Sequence, residues 1–100
     1  MKVTIQEQDG NAVAYLEGRL DTPTAIEAEK ALSPLYDCNG QDIIIDCTGL
    51  DYICSSGLRI FLMILKSTEE NENNLFIKGL SDDLYAVFAM TGFVKLFQFM

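Results

Sequence analysis

Ile43-Ile44-Ile45-Asp46, followed at residues 57–70 by GLRIFLMILKSTEE, decides the fold. Three consecutive β-branched apolar residues without alternation predict a strand buried on both faces, central and parallel, ending at Asp46. The later stretch returns to helical spacing through Leu58, Phe61, Leu62 and Leu65, which predicts a helix from Ser56 to about Glu69. Residues 47–54 are then a connection. A parallel strand followed by such a helix implies a crossover back to the same sheet.

Working outward from this unit, residues 2–7 alternate, with Val3 and Ile5 on one face, and after Asp9-Gly10 the alternation resumes through Val13, Tyr15 and Glu17. The pattern predicts an antiparallel hairpin at a sheet edge. In Asp21-Thr22-Pro23-Thr24 the proline preceded by threonine reads as N-cap plus first helical position, which starts a helix at about Pro23, and Ala25, Ala28, Leu32 and Leu35 follow at helical spacing until Pro34 forces an end or bend near Ser33. On the other side, Leu75-Phe76-Ile77 is a short buried strand. Ser81-Asp82-Asp83 caps a helix from Leu84 to Met90 that stops at Thr91-Gly92, and Val94 to Phe99 reads as a fifth strand. The order β-β-α-β-α-β-α-β predicts one α/β domain over residues 1–100, a mixed sheet of about five strands with a mainly parallel centre and three helices.

Composition narrows the function classes. Fifteen acidic against seven basic residues leave a net charge of −8, which argues against phosphate backbones and anionic lipid surfaces as partners. No apolar run approaches the roughly 18 residues of a membrane span, so a cytoplasmic protein is expected. With no histidine and no C-x-x-C among Cys38, Cys47 and Cys54, the usual zinc sites and histidine acid-base catalysis are excluded, and the cysteines read as reduced structural thiols. No metal or cofactor is expected.

Chemistry-bearing residues collect where strands hand over to helices. Asp21, Asp46 and Asp51 read either as a magnesium site or as a helix cap, a strand end and a turn; they are expected near one sheet edge. Asp51-Tyr52-Ile53-Cys54-Ser55-Ser56-Gly57-Leu58 places two hydroxyls and a glycine at the start of an apolar helix. Either serine could cap it. Gly57 suggests a close approach to the backbone, and free N–H groups there favour an added phosphate.

Those eight residues, Ile43-Ile44-Ile45-Asp46, the stretch Gly18-Arg19-Leu20-Asp21-Thr22-Pro23-Thr24-Ala25, and residues 87–97 (VFAMTGFVKLF) together resemble the STAS-domain family of bacterial anti-sigma factor antagonists. The resemblance spans nearly the whole chain. It implies a binding protein and not an enzyme, with an anti-sigma factor that is also a serine kinase as partner and a serine phosphatase to reset it. The family's Ser-Ser-Gly-Leu pattern falls on Ser55, Ser56, Gly57 and Leu58, which makes Ser55 the phosphoacceptor. Its functional acid falls on Asp21, implying a role in engaging the kinase. Asp21, Thr22, Ser55, Ser56, Gly57 and Arg59 are the implied partner-binding residues. In place of the family's aspartate before the first serine stands Cys54.

The expected mechanism is a charge switch: the unphosphorylated chain sequesters the anti-sigma factor, and phosphorylation of Ser55 ends the complex. Arg59 could answer Asp21 or Asp51, catch the phosphate, or be a solvated arginine with no role. Two alternatives stay open, a STAS scaffold that is never phosphorylated and a thiol phosphotransfer enzyme using Cys54. The spacing from Cys54 to Arg59 is one residue short for the latter. Ile60, Met63 and Ile64 read either as core or as a docking stripe.

Overall fold

The computed structural model describes residues 1–37 and 40–100. The expectation for Cys38 lies outside the described residues. The elements are β1 (Lys2–Gln8), β2 (Asn11–Leu20), α1 (Thr22–Leu32), a 3-10 turn (Ser33–Asp37), β3 (Ile43–Ile53), α2 (Ser55–Glu70), β4 (Leu75–Lys78), α3 (Asp82–Met90), a second 3-10 turn (Phe93–Lys95) and β5 (Gln98–Phe99). They form one five-stranded sheet in the order β1-β2-β3-β4-β5.

Asp9 and Gly10 both take positive φ, 53° and 82°, the backbone a two-residue hairpin needs to match strand twist. β1 and β2 therefore pair antiparallel, Val3 opposite Leu16 and Ile5 opposite Ala14. Every later neighbour is parallel. Each crossover advances one strand in the same direction, so crossovers of one hand put α1, α2 and α3 on the same face. Burial agrees: Ala12, Ala14, Leu16, Ile43, Ile45, Cys47, Leu75 and Ile77 are buried under the helices. The helices contribute Ala25, Ala28 and Leu32, then Leu58, Ile60, Phe61 and Ile64, then Leu84 and Phe88. Phe61, Phe88 and Phe97 meet edge to face or tilted, with centroids 5.7 to 6.4 Å apart.

One-sided coverage corrects the expectation that the Ile43–Ile45 strand is buried on both faces. Ile44 lies on the uncovered face in a row with Val13 and Phe76, and it is half-buried. The core face of β2 is Ala12, Ala14 and Leu16, while Tyr15 and Glu17 look outward.

β3 also runs seven residues past its expected end. β2 continues to Leu20, opposite Ile53, and so supplies a ladder along the whole segment despite two register shifts. Cys47, Leu50 and Ile53 are buried, which a loop would not achieve. A Cβ at Gly49 would lie 2.9 Å from Glu17 Cγ and 3.2 Å from the Leu16 carbonyl, so glycine permits the tight approach at the irregularity. At the C-terminal end, the expected strand from Val94 to Phe99 is mostly a 3-10 turn. Gly92, at φ 79°, turns the chain out of α3 into that turn, and only Gln98–Phe99 pair with β4.

Candidate functional site

The ends of β2 and β3 lie side by side and launch α1 and α2. The Cys54 N–H donates to the Leu20 carbonyl at 3.0 Å, tying the start of α2 to the end of β2. Cys54 is the N-cap in extended geometry, and its side chain makes no capping hydrogen bond. The expectation that a serine caps α2 is therefore corrected. β3 stays extended through Ile53, Cys54 alone joins it to α2, and the helix starts at Ser55, one residue before the expected Ser56, so both serines lie inside the first turn.

The first intrahelical bond here runs from the Leu58 N–H to the Cys54 carbonyl, 3.0 Å. The N–H groups of Ser55, Ser56 and Gly57 are thus left without helix partners. The first turn holds no acidic side chain. Ser55 is exposed and Ser56 half-buried, and among the described residues neither hydroxyl is engaged in a hydrogen bond. An exposed hydroxyl beside unpaired donors at the positive end of a helix is chemically suited to carry an anion.

Gly57 serves the chain's own packing. It is buried, and a Cβ there would come within 2.7 Å of Leu20 Cγ and 2.9 Å of Ile53 Cγ1. The close approach anticipated at this glycine comes from inside the domain, which corrects its placement on a partner surface.

Asp21 is the N-cap of α1, one residue before the expected Thr22, because its carboxylate and Thr24 close on each other's backbone N–H. Its Oδ1 accepts from the Thr24 N–H at 3.1 Å and from Thr24 Oγ1 at 2.9 Å, while Thr24 Oγ1 accepts from the Asp21 N–H at 2.9 Å, closing a capping box. Oδ2 lies 3.7 Å from Arg19 Nε. Hydrogen bonds from Thr24, aided by the charge of Arg19, hold the carboxyl below its ordinary pKa. The Arg19 guanidinium in turn stacks over the Tyr52 ring, 4.3 Å from its centroid. Arg19 and Tyr52 were missed by sequence reasoning because residues 47–54 read as a connection. Only the β2–β3 register sets them opposite each other.

Thr22, Ala25, Ile26, Glu29, Ser56, Arg59 and Ile60 line a crevice of about 120 Å³ between α1 and α2. Thr22 and Arg59 are exposed, and so is Ile26, at 63%. Arg59 forms no ion pair among the described residues, so it answers neither Asp21 nor Asp51. In the apolar run of α2, Ile60 and Ile64 belong to the core and Met63 is 38% exposed, so no stripe of three reaches solvent.

The three aspartates do not gather. Asp46 accepts from the Thr48 N–H at 2.9 Å and sits between Tyr15 and Lys78 on the open face. Seven residues of extended strand separate it from Ile53, roughly 23 Å. Among the described residues no group of three His, Cys, Asp or Glu side chains is placed to hold a metal ion. Burial, with the nearby Asp46 charge, pushes the Cys47 thiol up to about 12, leaving it a packing residue. Among the described residues no helix is long and apolar enough to cross a membrane.

Comparison with known proteins bears on this geometry. A model of the STAS domain matches residues 2–100. The anti-sigma-B factor antagonist of Staphylococcus aureus (strain NCTC 8325 / PS 47) is 34% identical over 96 residues, which is 96% of this chain and 89% of that protein. An anti-sigma factor antagonist from Mycobacterium paratuberculosis shares the fold with a TM-score of 0.87 at 19% identity, over 98% of this chain and 83% of its own. The Bacillus cell fate determinant SpoIIAA in its phosphorylated form shares it with a TM-score of 0.73 at 18% identity, over 99% and 91% of the two chains.

Proposed function

The chain belongs to the STAS domain family, and from that premise we propose that it is a cytoplasmic anti-sigma factor antagonist. Unphosphorylated, it sequesters an anti-sigma factor that is also a serine kinase, and phosphorylation of Ser55 ends the complex. It acts by binding and not by catalysis of its own. The observation that carries the reading is the start of α2: an exposed Ser55 hydroxyl, unused in capping, beside N–H groups with no helix partner. Asp21, Thr22, Ser56 and Arg59 complete the partner-facing surface of this reading, while Gly57 packs beneath the start of α2.

In the transfer step the bond from the γ-phosphorus of ATP to its bridging oxygen breaks, a bond to Ser55 Oγ forms, the hydroxyl proton is lost and ADP leaves. The product carries roughly 1.5 to 2 added negative charges at neutral pH. Unpaired donors and the helix dipole favour that charge within the protein, so the domain stays folded. Repulsion and steric mismatch act at the partner. A serine phosphatase restores the binding form.

The test is incubation with serine-kinase anti-sigma factors and magnesium ATP, followed by mass-spectrometric mapping. Phosphate on Ser55 in the wild type, lost in Ser55→Ala and kept in Cys54→Ser, supports the reading; the reverse pattern supports thiol phosphotransfer at Cys54. A second reading, a scaffold that binds but is never phosphorylated, is favoured by Cys54 standing in the position of the family's aspartate. It predicts partner capture with neither residue modified.

A further inference from the structure

Ser55 and Arg59 are four residues apart on α2 and both are exposed. Residues at this spacing are neighbours on one helix face, with Cβ atoms about 5–6 Å apart, and an anion placed before a cation is the favourable order. Among the described residues Arg59 has no ion pair, whereas Lys2 pairs with Glu17 and Arg19 with Asp21. A cation so near the start of a helix opposes the macrodipole, and no acidic side chain in the first turn offsets it.

Arg59 also forms part of the crevice wall between α1 and α2, together with Glu29 and the exposed Ile26. It is a hinge between two surfaces: one end of its reach is Ser55, the other is the crevice.

We propose that Arg59 is the intramolecular counter-charge of a phosphate on Ser55, and that its capture by the phosphate rewrites the crevice between α1 and α2. The inference rests on the phosphorylation reading above. A phosphate carries more charge than the Glu29 carboxylate and offers three acceptor oxygens to the guanidinium. Drawing Arg59 toward Ser55 moves its side chain away from the crevice wall it shares with Glu29 and opens the flank of Ile26. Phosphorylation then changes two patches at once, the modified serine and the crevice that α2 shares with α1. The Arg19 cation cannot substitute, because it is held over Tyr52 beside Asp21.

The experiment installs phosphoserine at position 55 during translation, so no kinase takes part. The phosphate is titrated by 31P NMR, and the Ile26 methyls are followed by 13C-1H NMR, in wild type, Arg59→Ala and Arg59→Lys. With Arg59 present, the phosphate midpoint lies about 0.3 pH unit below that of Arg59→Ala. Arg59→Lys falls between them, and the Ile26 methyls shift on phosphorylation only when position 59 carries a cation. Equal midpoints in wild type and Arg59→Ala overturn the counter-charge. Equal Ile26 responses in those two proteins overturn the coupling to the crevice. Failure of the phosphorylation reading would appear instead as no kinase transfer to Ser55, with these titrations unaffected.

Discussion

α1 and α2 start side by side at the ends of adjacent parallel strands, and they start differently. Asp21 closes a full capping box on α1 with Thr24. Cys54 offers α2 nothing from its side chain, and the first turn contains two serines and a glycine with their donors unpaired. α3 follows the α1 manner: Ser81 Oγ accepts from the Leu84 N–H at 3.2 Å, with Asp82 and Asp83 in its first turn. What keeps the uncapped start in place is packing, since Leu20 and Ile53 press on the bare backbone of Gly57. A helix start held from below has its polar groups free above, which is what a modifiable site requires.

The largest expected effect breaks that support. Gly57→Ala improves helix propensity, yet its Cβ meets Leu20 Cγ and Ile53 Cγ1 inside ordinary contact distance. A loss of about 1–3 kcal/mol is expected in denaturant unfolding. Stability unchanged or raised would mean that packing does not hold the α2 start.

Removing side-chain caps sharpens the contrast at a smaller scale. Ser81→Ala should cost about 1 kcal/mol, whereas Ser55→Ala, whose hydroxyl caps nothing, should stay within about 0.5 kcal/mol of wild type. Equal losses would erase the distinction between the two helix starts. Supplying α2 with the missing cap works in the opposite direction: Cys54→Asp should stabilise the fold by about 0.5 kcal/mol through side-chain acceptance and the dipole. Thermal unfolding at low ionic strength reads it, and a lower midpoint would show that Cys54 is kept for packing.

The smallest expected effect is a pH dependence at Asp21. Its folded-state pKa is depressed by Thr24 and Arg19. The stabilisation it gives is therefore complete above the unfolded carboxyl value of 3.8 and is lost as pH falls through the lower folded value. Asp21→Asn keeps a capping side chain without the titration. Any advantage of wild type over this variant at pH 7 should shrink on acidification below pH 4, as measured by thermal unfolding, and a gap that widens would contradict the assigned direction.

Much of this was legible along the chain. Helical spacing through Leu58 and Phe61, the Asp9-Gly10 turn and the proline-marked start of α1 depend on local chemistry, and these elements formed there, both helices starting one residue earlier than expected. Ser55 was legible as a candidate because its position relative to Gly57 and Leu58 carried the family resemblance. Residues 47–53 were not: Thr48, Gly49 and Asp51 have poor strand character, and only pairing with β2 makes them a strand. With that strand misread, the contact of Arg19 with Tyr52 and the distance of Asp46 from Ser55 were out of reach. Val94 and Leu96 are apolar enough for a strand, yet Gly92 redirected the backbone before pairing could begin.

The sequence by itself determined the order of elements, the parallel centre and the serine-bearing start of α2, because turn residues, periodicity and motif spacing are encoded locally. Only the tertiary structure decided which face of the sheet is covered, how far β3 extends, which residue caps α2 and which wall of the α1–α2 crevice Arg59 occupies. Those outcomes depend on which strand or helix lies alongside, and neighbours distant in sequence are chosen by packing of the whole chain.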